Sequence, residues 1–588
     1  MDRRDRAIDY SAYLEMSKPV NTAIAPAASN PSAFEAPTLC EAFQRTAAER
    51  GDSIALRTPG DVISITWAEY AKRVQRLAAG LASLGVGRGD TVGLMLVNRP
   101  EFHLVDTAAL HLGATPFSVY NSSTADQIVH LFGNASNRVV ITESGFLPVI
   151  QTAIAGGVEV EHVVLVDGEQ PQAISLESLE EMGAPTFDFD ATWRAVAAED
   201  VATLIYTSGT TGPPKGVQLT HSNMLAQMRA MQERLPATPG GRTISYLPSA
   251  HLADRWSAHY QSSIGLGYTV TCVSDARAIA THLPEVRPTT WGAVPRIWEK
   301  IKAALEAQGI ADPTALSEQQ RAGVRAKLGL DRCEWLMVGG APTAPELLRY
   351  FHDLGLPICE VFGMSESSCV VTCSPVDRIK IGTCGPSIPG VELRLAEDDE
   401  LLVRGEIVMA GYRGDSERTR EAIDEDGWLH TGDIATIDND GYVTIVDRKK
   451  ELIINAAGKN MSPANIEATL KSAHPLIGQA CCIGDKRPYN CALIVLDPDV
   501  CAAFASEHGL ADASPHELAH DERVQSVIAA AVVEANSHLS RVEQIKRHAI
   551  MPCDWLPGGD ELTPTMKLKR KPISEKYAVD IESLYAGE

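Results

Sequence analysis

The sequence predicts an α/β protein: a large N-terminal domain of doubly wound sheets followed by a small α+β C-terminal domain. Three observations lead there. With 588 residues the chain is too long for one hydrophobic core and should divide into at least two domains. In its first third, apolar strand-like runs alternate with helical periodicity at short spacing, which requires parallel pairing through helical crossovers. Near the C-terminus, strand-like runs at 480–483 and 492–496 and a helical run around 524–539 suffice for a small α+β unit.

Taken in order, residues 1–36 are rich in Ala, Pro, Ser and Asn, and predict a flexible lead-in. Thr66-Trp67-Ala68-Glu69 is a T-x-x-E capping box, and Tyr70, Val74, Leu77, Leu81 and Leu84 follow at spacings of four and three, a helix that Gly85 ends. A strand from Thr91 to Val97, a turn at Asn98-Arg99-Pro100, a helix to Leu112 and a strand from Thr115 to Tyr120 come next, and strands recur at 139–141 and 163–166. Ligands are expected at the carboxyl ends of such strands.

The apolar run Val201-Ala202-Thr203-Leu204-Ile205 leads into Tyr206-Thr207-Ser208-Gly209-Thr210-Thr211-Gly212-Pro213-Pro214-Lys215-Gly216, with a helix-like segment from about Asn223. A strand, a Gly/Thr/Ser loop and a helix in that order can wrap a polyphosphate. Glycines admit backbone N–H groups, hydroxyls add donors and lysine adds charge. The common NTPase loop needs G-x-x-x-x-G-K-[ST], which this run does not satisfy. From the residues alone, a nucleotide loop and a Gly/Thr-rich surface turn both remain open.

Charge and composition narrow the classes. With 52 basic and 76 acidic residues the formal charge is −24, so nonspecific nucleic-acid binding is not expected and an anionic ligand must be held by local cations. The charged start, Met1 to Arg6, is followed by no apolar run, and no stretch approaches the roughly 18 apolar residues of a membrane span. Twelve cysteines without a CxxC pair suit neither zinc nor a disulfide framework. The expectation is a cytoplasmic protein with reduced thiols.

The run from Thr207 to Lys215 resembles the phosphate loop of the adenylate-forming superfamily, and four further motifs occur in that family's order. The first is Gly339-Gly340-Ala341-Pro342, a turn that the resemblance sets beside adenine. The second, Val361-Phe362-Gly363-Met364-Ser365-Glu366, implies stacking on adenine by Phe362 and Mg²⁺ held by Glu366 with Thr207. The third runs from Asp426 to Asp433 and resembles a signature of fatty acyl-CoA synthetases, with Asp433 on the ribose hydroxyls. The fourth starts Asp447-Arg448-Lys449-Lys450, with Arg448 on the ribose and Lys450 as a hinge.

In the closing Leu562-Thr563-Pro564-Thr565-Met566-Lys567, Lys567 matches the family's essential lysine, and Lys569 is the nearest alternative. His251, in Leu247-Pro248-Ser249-Ala250-His251-Leu252-Ala253-Asp254-Arg255, matches a position beside the carboxylate site; Ala253-Asp254 stands where a bulkier residue and glutamate are usual. Val294-Pro295-Arg296-Ile297-Trp298-Glu299-Lys300 resembles long-chain and bubblegum-type synthetases. The implied domains are a large adenylation domain (37–447), a hinge (448–450) and a mobile lid (451–588).

The resemblance implies that a fatty acid, of long chain by the closest motifs, is joined to ATP with Mg²⁺ as acyl-AMP and then passed to coenzyme A. Lys215 would act on the departing phosphates, Lys567 on the carboxylate and α-phosphate, and Gly458 against the pantetheine arm. Loading of a separate carrier protein, or adenylate binding without catalysis, stays open. A greasy acid also implies transient, peripheral membrane contact. Oligomeric state is left open.

Overall fold

The computed structural model describes residues 30–207, 213–454, 460–510, 513–563 and 565–586. The first predicted helix forms over Trp67–Ser83; Thr66 caps it by accepting from the Glu69 N–H, and Trp67, Tyr70, Val74, Leu77 and Leu81 are buried. It packs beside an eight-stranded sheet of order 411–412, 215–220, 201–207, 115–118, 91–95, 139–142, 162–165 and 174–175. The six strands from Val201–Thr207 to Ile174–Ser175 are parallel neighbours. The central strands Thr91–Met95, Thr115–Ser118 and Val139–Thr142 are buried along their whole length, so they do not alternate apolar with polar exposure.

A second sheet orders Arg242–Ser245, Thr269–Cys272, Ile54–Arg57 and Ser64–Thr66, and a third orders Thr290–Ala293, Trp335–Val338, Ile358–Phe362 and Thr372–Cys373. The antiparallel fourth runs Glu392–Leu395, Glu400–Arg404, Leu429–Ile437, Val443–Arg448. The strands Val201–Thr207, Trp335–Val338 and Ile358–Phe362 each run out at their carboxyl ends into one of the sequence motifs.

Two expectations need correction. The phosphate loop does not open a helix directly: Lys215–Thr220 is a strand antiparallel to Val201–Thr207, and the helix His221–Arg234 begins only after it, capped by Thr220. The 215–220 segment is satisfied as a strand because Gly411–Tyr412 pairs on its other side. The lead-in is also shorter than 36 residues, because Ser32–Glu35 forms a 3₁₀ turn that buries Ala33 and Phe34. Residues 1–29 lie outside the described residues.

The C-terminal part has cores of its own. Ile477–Ile483, Asn490–Leu496 and Ile545–Ile550 form a three-stranded sheet. Along its central strand, Ala492, Ile494 and Leu496 join a core with Ile466, Leu470, Val524 and Ile528. Leu493 and Val495 join another with Trp555, Ile573 and Tyr577 on the opposite face. The period of two thus gives one strand two cores, and the unit resembles an independent domain. Pro463–Ala473 opens as the sequence indicates, Ser462 accepting from the Asn465 N–H. No helix among the described residues is long and apolar enough to cross a membrane.

Candidate active site

The phosphate loop hangs from a hairpin. Thr207 and Lys215 face each other across its antiparallel strands, and the carbonyl of Pro214 contacts His130 Nε2 at 2.9 Å. Ser208, Gly209, Thr210, Thr211 and Gly212 lie outside the described residues. Lys215 places its ammonium 4.6 Å from the centre of the Tyr412 ring. The Tyr412 hydroxyl in turn donates to Glu366 Oε1 at 2.9 Å. Tyr412 therefore ties the loop lysine to Glu366, although 197 positions separate Lys215 from it. No motif pointed to Tyr412; only its place on the strand beside Lys215–Thr220 reveals it.

Val338 and Glu360 are paired in register, so the turn from Gly339 to Pro342 and the strand end at Phe362 lie side by side. Gly340 adopts φ +85° and Ala341 and Pro342 are exposed. At Gly363 a Cβ would lie 1.7 Å from the Cys369 carbonyl oxygen, so backbone passes against backbone and only glycine fits. Met364 and Ser365 complete the turn, and Glu366 is buried behind it. Glu360, two residues before Phe362, shares its face of the strand. Its Oε2 is buried without a partner, and burial pushes the carboxyl up to about 8. The motif reading missed it; alternation along the strand is the signal that finds it.

Asp433 and Arg448 are register partners on adjacent antiparallel strands, and Arg448 Nε meets Asp433 Oδ1 at 2.9 Å. Asp433 Oδ2 is buried and unpartnered. Burial, against the charges of Arg448 and Lys567, pushes the carboxyl up to about 6.

Lys567 reaches this place from the C-terminal unit. Its backbone is pinned by a tight turn: Lys567 N–H donates to Thr563 Oγ1 at 3.0 Å, and Thr563 N–H donates to the Lys567 carbonyl at 2.8 Å. The side chain is exposed yet has protein around it, as in an open cleft. Desolvation, then the charge of Arg448, pull its ammonium below the usual lysine range, while Asp433, Glu451 and Glu366 oppose that. Lys569 is otherwise engaged, its ammonium donating to the Gly559 carbonyl at 2.8 Å. Of the two candidates, Lys567 is the one in the cleft.

His251 lies on the same cleft's electrostatic map. Burial, then the Lys567 charge, hold its imidazole down to about 4, so it is neutral at ordinary pH. Its Nδ1 accepts from the Ala253 N–H at 3.0 Å, capping the helix that follows. Asp254 behind it accepts from Ser245 Oγ at 2.8 Å and Tyr246 N–H at 3.1 Å, and burial pushes it up to about 7. Arg255 pairs with Asp106, which also meets His259 Nε2 at 3.0 Å, in a wholly buried charge cluster. Lys450 is exposed just past the Arg448 strand, and Gly458 lies outside the described residues.

Thus His251, Glu366, Asp433, Arg448 and Lys567, from five separate stretches of sequence, share one electrostatic neighbourhood. Such a site can hold an anionic ligand against local cations in a chain of net negative charge.

The AMP-binding enzyme family matches residues 43–413, and the AMP-binding enzyme C-terminal domain matches residues 450–588. The putative fatty-acid–CoA ligase fadD11 of Mycobacterium tuberculosis (strain ATCC 25618 / H37Rv) is 51% identical over 438 residues, covering 68% of this chain and 76% of its own. The long-chain-fatty-acid–CoA ligase FadD15 of that strain is 37% identical over 564 residues, 89% of this chain and 92% of its own. The adenylation domain of a carboxylate reductase from Mycobacterium chelonae, a crystal structure, shares the fold with a TM-score of 0.76 at 20% identity, over 95% of this chain and 92% of that one. By its two matched domains and these relatives, the chain belongs to the AMP-binding enzyme family of adenylate-forming enzymes.

Proposed function

We propose that this chain is an AMP-forming ligase that joins a long-chain fatty acid to coenzyme A. ATP and the carboxylate give acyl-AMP and pyrophosphate, and the thiol of coenzyme A then displaces AMP. The observation that carries this reading is Lys567, delivered from the C-terminal unit into a cleft with Asp433, Glu366 and His251 of the large domain.

A carboxylate is a weak nucleophile and the α-phosphate is shielded by negative charge, so the first step needs alignment and cations more than a protein nucleophile. Lys567 bridges the carboxylate and α-phosphate. Lys215, braced by Tyr412, takes charge on the departing pyrophosphate. Asp433 offers its free oxygen to a ribose hydroxyl while Arg448 holds the other oxygen in place. Phe362, Glu360 and the turn from Gly339 to Pro342 bracket the base. Neutral His251 walls the carboxylate site without adding charge.

When bound, Mg²⁺ neutralises phosphate charge; Glu366 and Thr207 are the residues that would hold it. Such an ion keeps waters and phosphate oxygens as most of its ligands, so few protein carboxylates are needed. For the second step, Lys567 withdraws as the unit turns about Lys450, and the segment around Gly458 meets the pantetheine arm. Val62 and Ile63, exposed at a hairpin tip, are the surface we assign to transient membrane contact during acid uptake.

The test is acyl-CoA formation, followed by mass spectrometry, with ATP, Mg²⁺, coenzyme A and fatty acids from short to very long. Activity peaking at long chains supports the proposal. Acyl-AMP that accumulates without thioester would replace coenzyme A by a carrier protein, and no product with any acid would overturn the ligase reading.

A further inference from the structure

The C-terminal unit is also tied to the large domain by charged residues that touch none of the groups above. The helix Pro295–Ala307 buries Trp298, Ile301 and Leu305, and Trp298 packs edge-on against Trp291 and Phe351 with ring centres 4.8 and 4.9 Å away. That packing fixes the helix in the large domain. Arg296 and Lys300, four residues apart, then share one face, and both reach the C-terminal unit. Arg296 contacts its own helix's Glu299 at 3.0 Å and pairs with Asp497; Lys300 pairs with Asp499 at 2.7 Å.

The two pairs differ in weight. Lys300 and Asp499 are 48% and 76% exposed, so solvent and salt screen them. Arg296 and Asp497 are 24% and 7% exposed, and a guanidinium fork on two carboxylates is a strong, directed contact. Asp497 is itself held in place, because it caps Pro498–His508 by accepting from the Asp499 and Val500 N–H groups at 3.0 and 3.2 Å. If the domains part, Arg296 keeps Glu299 and Asp497 keeps its N–H donors. Neither charge is stranded, so the contact can open and close at modest cost.

We infer that Arg296, steadied by Glu299, is a positioning residue that latches the C-terminal unit through Asp497 in the pose that puts Lys567 into the cleft. The latch therefore serves acyl-AMP formation and must open for thioester formation. This inference rests on the two-step reading above.

The test separates the half-reactions in the full chain. Arg296→Met keeps an apolar stem without charge, and Asp497→Asn keeps a helix-capping side chain without charge. Each should lower fatty-acid-dependent ATP–pyrophosphate exchange about tenfold, the double variant no further than either, as expected for partners in one contact. Thioester formation from supplied acyl-AMP and coenzyme A should be unchanged or faster, and Lys300→Ala should change exchange less than about twofold. Deuterium uptake at 498–508, read by mass spectrometry, should rise in Arg296→Met and Asp497→Asn. Equal loss of both half-reactions would reduce Arg296 to a structural role, and unchanged exchange and uptake would remove the latch. If the wild-type chain performs no exchange with any acid, the two-step reading fails on its own; unchanged deuterium uptake in the variants would then overturn the latch separately.

Discussion

Asp433 is buried, with one oxygen on Arg448 and the other free, and its carboxyl is pushed up to about 6. A raised carboxyl means the folded state binds a proton more readily than the unfolded chain, so this residue lowers stability progressively from about pH 4 to pH 6 and keeps that cost above. Asp433→Asn should therefore raise the melting temperature above pH 6 by about 2–4 °C, and the gain should vanish below about pH 4, where the native side chain is neutral in both states. A gain that persisted at low pH would mean that charge is not its source. The same titration should give kcat/KM for ATP an acid limb near pH 6, since a protonated Asp433 loses acceptor capacity toward the ribose. His251, held near 4, is already neutral there and cannot supply that limb. Lys567→Ala should slow adenylation about 10²-fold or more, as loss of a transition-state contact does, while thioester formation from supplied acyl-AMP survives. Loss of both would show that Lys567 does more than serve the first step.

At the scale of elements, the glycine turn after Phe362 works by backbone contact: Gly363→Ala must displace the Cys369 segment that a Cβ would overlap. The expected result is a raised KM for ATP together with a lower melting temperature; an unchanged KM would separate this turn from nucleotide binding. The helical segment Arg255–Gly265, which continues the turn capped by His251, carries a buried pair between Arg255 and Asp106. Arg255→Met leaves the buried Asp106 carboxylate without its cation, with His259 as its remaining ring partner, and should cost about 3–5 kcal/mol in denaturant unfolding of the large domain. These two sites also show what a sequence reveals. The helix from Trp67 was legible because its cap and its three-and-four periodicity are local. Gly363 and Glu366 were legible because their motif is contiguous. The strand Lys215–Thr220 was read as part of a loop entering a helix, because its second partner, Gly411–Tyr412, is almost two hundred residues away. Tyr412 and the Asp106–Arg255 pair were hidden for the same reason: each acts through a neighbour that only tertiary packing supplies. Glu360 was within reach, one strand repeat before Phe362, but a short conformational rule was needed to see it.

The molecule as a whole places cations of one domain against carboxylates of another, and its C-terminal unit carries two cores of its own, so it can turn without unfolding. The proposed turning point is Lys450, exposed after the strand that ends at Arg448, where the Glu451 and Leu452 N–H groups donate back to the Arg448 carbonyl at 2.9 and 3.1 Å. Proline at 450 would fix φ near −65° and restrict residue 449 as well. If thioester formation requires those torsions to change, Lys450→Pro should hold the pose that brings Lys567 to the cleft. ATP–pyrophosphate exchange should then stay within about threefold of wild type, whereas thioester formation from supplied acyl-AMP should fall about 10²-fold, the loss expected when a gating motion is blocked. This is the reverse of Lys567→Ala, and the comparison is the decisive part. Parallel losses in both half-reactions would mean that proline distorts the cleft, and no loss in either would move the turning point elsewhere in the connection.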